Sequence, residues 1–228
     1  MNTKELFLST LILSVIVQIV TGLLELGSLF VKVPTAGNLI RQLLILEVIV
    51  QFIEGGFYYW LVRNFNNVKN VTPKRYIDWS ITTPTMLITL VFYLIYLQYR
   101  EKGENTSTLD FFSLFSQNSG QLSWILGLNW MMLLFGYLGE ANIISTLTGV
   151  FLGFIPFLIY YGIIYFKYAQ YSTSGWKMFS YFFVFWSLYG VAAVLPYYAK
   201  NASYNILDLF AKNFFGVFLS YIILSGRY

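Results

Sequence analysis

Glu25, Glu47, Glu54, Asp78, Asp208 and Lys212 all fall inside stretches of sequence that are otherwise apolar, and Arg75 stands near the end of one. Ionisable side chains in such a setting are costly. They face an interior, find partners and mark functional paths. Lys212 is the most informative, because it follows Asp208 by four residues in Ile206-Leu207-Asp208-Leu209-Phe210-Ala211-Lys212. A helix projects both from one face. Two chemistries fit this spacing: a buried ion pair, or a desolvated amine that forms a Schiff base with an aldehyde. Spacing alone leaves both open. The chain has neither His nor Cys, which excludes disulfide frameworks, thiol catalysis, the usual zinc sites and His-centred triads.

Polar residues also recur in rows. Glu47, Gln51, Glu54 and Tyr58 follow at helical intervals along one narrow face, and Ser14, Gln18, Thr21 and Glu25 repeat the same spacing. Asp78, Thr82 and Thr89 form a third row, and Asn205, Asp208 and Asn213 a fourth. Such rows read either as interhelical hydrogen bonds that glue a bundle or as the wall of a water-filled cation path, since rows of carboxylates favour cations.

The elements that must position these residues follow from composition. Hydrophobic residues make up 57% of the 228 positions, aromatic ones 21% and charged ones 11%, whereas soluble domains carry about 25% charge. A soluble domain is excluded, and so is a nucleic-acid binder, because the formal charge of +4 is small and scattered. A membrane-spanning helix needs about 20 mostly apolar residues. Seven such stretches lie near 6–31, 39–62, 75–99, 121–139, 142–167, 176–198 and 203–225, and none shows the alternation of a membrane β-barrel. The expectation is an all-α membrane protein, a seven-transmembrane-helix bundle forming one domain over 1–228. Its longest connection is the polar 100–120. Seven basic residues on one side against five on the other predict an N-terminus outside and a cytoplasmic C-terminus.

The third stretch, Arg75-Tyr76-Ile77-Asp78-Trp79-Ser80-Ile81-Thr82-Thr83-Pro84, resembles the core motif of microbial (type 1) rhodopsins. The Asp208–Lys212 run resembles the retinal-binding end of that family's last helix. Trp186-Ser187-Leu188-Tyr189 resembles its aromatic wall, and Asn129, Met132 and Gly136 match at their intervals. The resemblance covers the whole chain. It implies all-trans retinal bound covalently to Lys212 as a protonated Schiff base, with Asp78 and Asp208 as counterions and Arg75 below them. Trp79 and Trp186 would sandwich the polyene, while Thr83, Met86, Met132, Gly136 and Tyr189 shape the pocket. Tyr58 and Tyr189 would hydrogen-bond Asp208. Met86 stands where an apolar residue accompanies green rather than blue absorption in proteorhodopsins.

Departures from the pattern bear on activity. Outward proton pumps of this family have a carboxylate where this chain has Thr89, and the run from Lys200 to Asn205 offers no acid for proton release. The glutamates at Glu47 and Glu54 resemble those of channelrhodopsins. The short chain, the Asp78-Thr82-Thr89 pattern and Ala211-Lys212-Asn213 are most similar to the group 1 viral rhodopsins of giant viruses. That resemblance implies a photoreceptor acting as a light-gated cation channel rather than an enzyme, with Ser14, Gln18, Glu47, Gln51, Glu54, Tyr58, Arg75, Thr82, Asn205 and Asn213 along the ion path. Glu47 and Glu54 would be successive constrictions bridged by Gln51. A light-driven outward proton pump and a sensory rhodopsin signalling to a partner are the alternatives. The partners implied are membrane lipid, monovalent cations and protons, in a host-cell membrane if the chain is viral. Homo-oligomerisation stays open. Thr83 and Asn129 stand where channelrhodopsins hydrogen-bond helices three and four near the retinal, usually through a cysteine and an aspartate; the neutral pair here can bond but cannot relay a proton. Sequons at Asn70, Asn105 and Asn201 permit glycosylation.

Overall fold

Each apolar stretch becomes a helix bounded by identifiable chemistry. The computed structural model describes residues 2–228 and contains α1 (Thr3–Leu29), α2 (Asn38–Asn64), α3 (Thr72–Glu101), α4 (Phe111–Glu140), α5 (Thr146–Lys167), α6 (Thr173–Ala193) and α7 (Tyr197–Ser225), with no strand among those residues. Six of the seven are long and apolar enough to cross a membrane. The exception is α6, whose Trp, Tyr, Ser and Lys177 side chains lower its mean hydropathy. The chain is an integral multi-pass membrane protein.

Side chains set several of the helix starts. Asn2 and Glu5 form a capping box on α1, and Ser145 and Ser172 cap α5 and α6 by accepting from free backbone N–H groups. The largest correction to the sequence reading is at α4, which begins at Phe111 and not near 121. Asp110 caps it by accepting from the N–H groups of Phe112 and Ser113. Its polar first turns stay helical because Asn118, Ser119 and Ser123 bond carbonyls of the preceding turn. The expected long connection therefore shrinks to the residues between Glu101 and Phe111. Likewise α6 ends at Ala193, earlier than expected, because Pro196 opens α7.

Packing places α3 at the centre, against α2, α4 and α6, while the two halves of α7 lie against α1, α2 and α6. Small residues permit a close approach of α4 and α5. A Cβ at Gly149 would stand 2.7 Å from the Phe135 carbonyl oxygen, so only glycine fits there. Within α7, Leu209–Asn213 forms a turn of π-helix between two α-helical segments. Such bulges cluster at functional sites because they re-aim side chains within a helix. This one ends on the residues around Lys212.

Candidate functional site

Lys212 is 3% exposed and projects into the bundle from the π-turn. Its Nζ donates to Asp78 Oδ2 at 2.8 Å, and two further carboxylates stand close: Glu54 Oε1 at 3.6 Å and Asp208 Oδ1 at 3.7 Å. The helical neighbour Asp208 is thus not the nearest partner of the amine. Glu54 was expected as a constriction of the ion path, and α2 delivers it to the lysine cluster itself.

Asp208 is held on the other side by two phenols and a guanidinium. Tyr58 donates to Oδ2 at 2.6 Å, Tyr189 donates to Oδ1 at 2.7 Å, and Arg75 Nη1 lies 3.5 Å from Oδ2. Arg75 is fully buried. It donates to the side-chain oxygens of Asn201 and Asn205 and to Tyr58. Asn205 in turn reaches Thr10 of α1, and its carbonyl accepts from Ser14. Asn201 was read only as a glycosylation sequon. The structure rules that out, because its buried amide binds Thr72 while its carbonyl oxygen binds Arg75.

The amine opens onto a cavity of about 110 Å³ between α3, α4, α5, α6 and α7. All of Trp79, Thr83, Met86, Met132, Gly136, Trp186 and Tyr189 line it together with Lys212. The sequence reading missed Phe154 and Phe157 of α5, Gly190 of α6, and Tyr76 and Tyr204. Large aromatics and glycines at helical spacing look like ordinary packing in sequence. The glycines are constrained: a Cβ at Gly190 would strike the Phe154 ring, and one at Gly136 the Tyr76 hydroxyl. Asn129 donates to the Thr83 hydroxyl at 2.8 Å, joining α3 to α4 beside the cavity. An elongated apolar molecule with an aldehyde at one end matches this chemistry, with aromatic walls along its length and a buried amine at its end.

On the other side of Lys212 the polar rows meet between α1, α2 and α7. Gln51 Nε2 donates to the Gln18 carbonyl at 2.7 Å and to the Thr21 hydroxyl at 3.1 Å. Asn213 donates to Gln51 Oε1 at 2.8 Å and to Thr21 at 3.0 Å. Gln51 therefore ties three helices together and does not bridge Glu47 to Glu54. Thr82 and Thr89 bond carbonyls of their own helix. Glu47 lies beside Thr89, and Glu25 lies near Glu47 against Gly216 of α7. Both carboxylate oxygens of Glu25 and of Glu54, one of Glu47 and the side-chain amide of Gln18 are buried without a hydrogen-bond partner among the described residues. Each such group has a substantial desolvation cost.

Comparison with known proteins agrees with this geometry. The family model of bacteriorhodopsin-like proteins matches residues 7–226. The solved structure of the viral rhodopsin OLPVRII is similar at 27% identity and a TM-score of 0.79, over 98% of this chain and 99% of that one. A blue light-absorbing proteorhodopsin from Med12 is similar at 19% identity and TM-score 0.72, over 98% of each chain. Halorhodopsin, a light-driven chloride pump, is similar at 16% identity and TM-score 0.70, over 97% of each chain. No curated protein sequence matches. With seven helices, a lysine–carboxylate cluster at their centre and a family match over nearly its whole length, the chain belongs to the bacteriorhodopsin-like family, the microbial rhodopsins.

Proposed function

We propose that the protein is a retinal-binding photoreceptor acting as a light-gated cation channel, with all-trans retinal held covalently on Lys212. The chromophore, when bound, supplies a polyene that absorbs visible light and isomerises. The protein's own groups do the rest. Asp78 accepts the hydrogen bond of the Lys212 nitrogen, while Asp208 and Glu54 add negative charge nearby, which a buried cation requires. Trp79 and Trp186 wall the cavity from α3 and α6, and Met86, Met132 and Gly136 limit its width. Tyr58 and Tyr189 fix the orientation of Asp208.

The observation that supports a channel over a pump is the file of buried carboxylates, Glu25, Glu47 and Glu54, along α1 and α2, each with at least one oxygen that accepts no hydrogen bond. Direct hydrogen bonds through Gln51, Thr21 and Asn213 close that file midway. This is the arrangement of a shut path. A change at the Lys212 cluster reaches it directly, because Asn213 is the next residue and Glu54, itself part of the file, lies 3.6 Å from the Lys212 nitrogen. Opening the Gln51–Asn213 bond would let water solvate the carboxylates, which then favour cations over anions. Thr89 has no acidic proton to deliver to the cluster, which weighs against a pump.

Voltage clamp under illumination tests this reading. A photocurrent that reverses with the cation gradient is expected. Outward current at every accessible voltage would establish the pump instead, and light-evoked signalling with no current the sensor.

A further inference from the structure

The cavity that reaches Lys212 extends toward the end of the bundle holding the N-terminus, where Tyr76, Ala193 and Tyr204 line it. A buried ion pair lies at that end, and nothing in the proposed function uses it. Lys200 Nζ donates to Glu140 Oε1 at 2.7 Å, and both residues are 8% exposed. Glu140 is the last residue of α4, and Lys200 stands in the first turn of α7. These helices pack mainly elsewhere: α4 on α3 and α5, and this half of α7 on α1 and α6. The ion pair therefore joins α4 to α7 at this end, where the two helices share little other packing.

Its position over the cavity follows from the residues one turn away. Gly136 precedes Glu140 by one turn, and the Tyr76 hydroxyl rests against it. Tyr204 follows Lys200 by one turn. The Tyr76 and Tyr204 rings flank Trp79, with centroids 5.0 and 5.1 Å from it. Glu140 lies within electrostatic range of both phenols. Tyr76, Trp79 and Tyr204 thus form an aromatic wall at this end of the cavity, and the ion pair lies one helical turn beyond it.

A buried pair of charges adds little net stability over an apolar pair of the same size, because desolvation offsets the attraction. It does hold its partners in one geometry, and it fails when either charge is lost. We propose that the Glu140–Lys200 pair is a latch that closes this end of the Lys212 cavity, and that separating it admits water and small polar solutes. Lys200 and Lys212 belong to the same helix, so a displacement of α7 acts on both. The main readout of the latch rests on retinal being attached to Lys212; a second readout does not.

The first experiment uses the full-length protein loaded with all-trans retinal in detergent, treated with hydroxylamine in the dark. Glu140→Gln and Lys200→Met should each bleach several-fold faster than wild type. The charge-swapped Glu140→Lys/Lys200→Glu variant should return toward the wild-type rate. Unchanged single variants, a swap that bleaches as fast as they do, or acceleration that simply tracks a fall in Tm would each overturn the latch. A wild-type protein that forms no pigment at all would count against retinal attachment, not against the latch. The second readout covers that case. The chain has no Cys, so Ala193→Cys places a single thiol in the cavity wall of retinal-free protein. A charged thiol reagent should label it faster when Glu140→Gln is also present, and equal labelling rates would sink the proposal.

Discussion

At the scale of single residues, the centre of the molecule gathers three carboxylates, Glu54, Asp78 and Asp208, around two cations, Lys212 and Arg75. The distances rank their influence on the amine. Lys212→Ala should abolish visible absorption after retinal is added, since no other lysine opens onto the cavity; colour that persists would remove the basis for a retinal site. Asp78→Asn takes away the carboxylate at 2.8 Å and should red-shift the pigment, because positive charge on the polyene becomes less localised. Glu54→Gln, at 3.6 Å, should leave the pigment intact with a smaller shift, while altering the photocurrent or its balance between protons and larger cations. Absorption spectra of the two variants, recorded side by side, check the order. Asp78, Asp208 and Lys212 were legible in sequence because an ionisable residue in an apolar span has few explanations. The closeness of Glu54 was not. Its depth relative to α3 and α7 depends on how α2 packs, and periodicity along one helix says nothing about register between helices.

At the scale of elements, what the sequence hid was mostly polar. Span positions followed from apolar runs, but α4 starts ahead of its run because Asp110 caps it and Ser and Asn side chains satisfy its first turns. Hydropathy cannot register a capped polar helix end. The π-turn in α7 was equally invisible, since the Asp208–Lys212 spacing suits an ordinary helix. The tight α4–α5 contact gives a prediction of its own. Gly149→Ala would push a methyl group into the Phe135 carbonyl and should destabilise the fold by about 1–3 kcal/mol. Gly162, also on α5, has open space around the same added atom. Gly162→Ala should be neutral or stabilising by up to roughly 1 kcal/mol, because alanine is the better helix former. Thermal unfolding of the two variants separates these outcomes. Equal Tm values would mean that the close approach of α4 and α5 has little energetic weight.

For the whole molecule, the remaining question is which end faces the cytoplasm, since this fixes the direction of any photocurrent. The sequence offered a narrow bias, seven basic residues against five. The structure changes the weight of one of them. Lys200 belongs to the smaller set, yet its ammonium is buried against Glu140 and is not free at the membrane surface. Of that set, Lys4, Arg63, Lys69 and Lys74 remain, and none of them is buried. On the opposite face Lys32, Arg41, Arg100, Lys102, Lys167, Lys177 and Arg227 all remain outside the buried core. Seven against four is a clearer asymmetry, and basic residues near the ends of spans are retained on the cytoplasmic side. The expected orientation therefore has the N-terminus outside and the C-terminus within. It puts the Glu140–Lys200 pair toward the exterior, and the carboxylates Glu25 and Glu47 toward the cytoplasm. Short epitope tags at the two termini of the chain, expressed in intact cells and exposed to an external protease, test this. The N-terminal tag should be removed while the C-terminal tag survives until the cells are permeabilised. The reverse pattern would mean that charge at the helix ends does not govern insertion here, and it would exchange the two sides of the ion path.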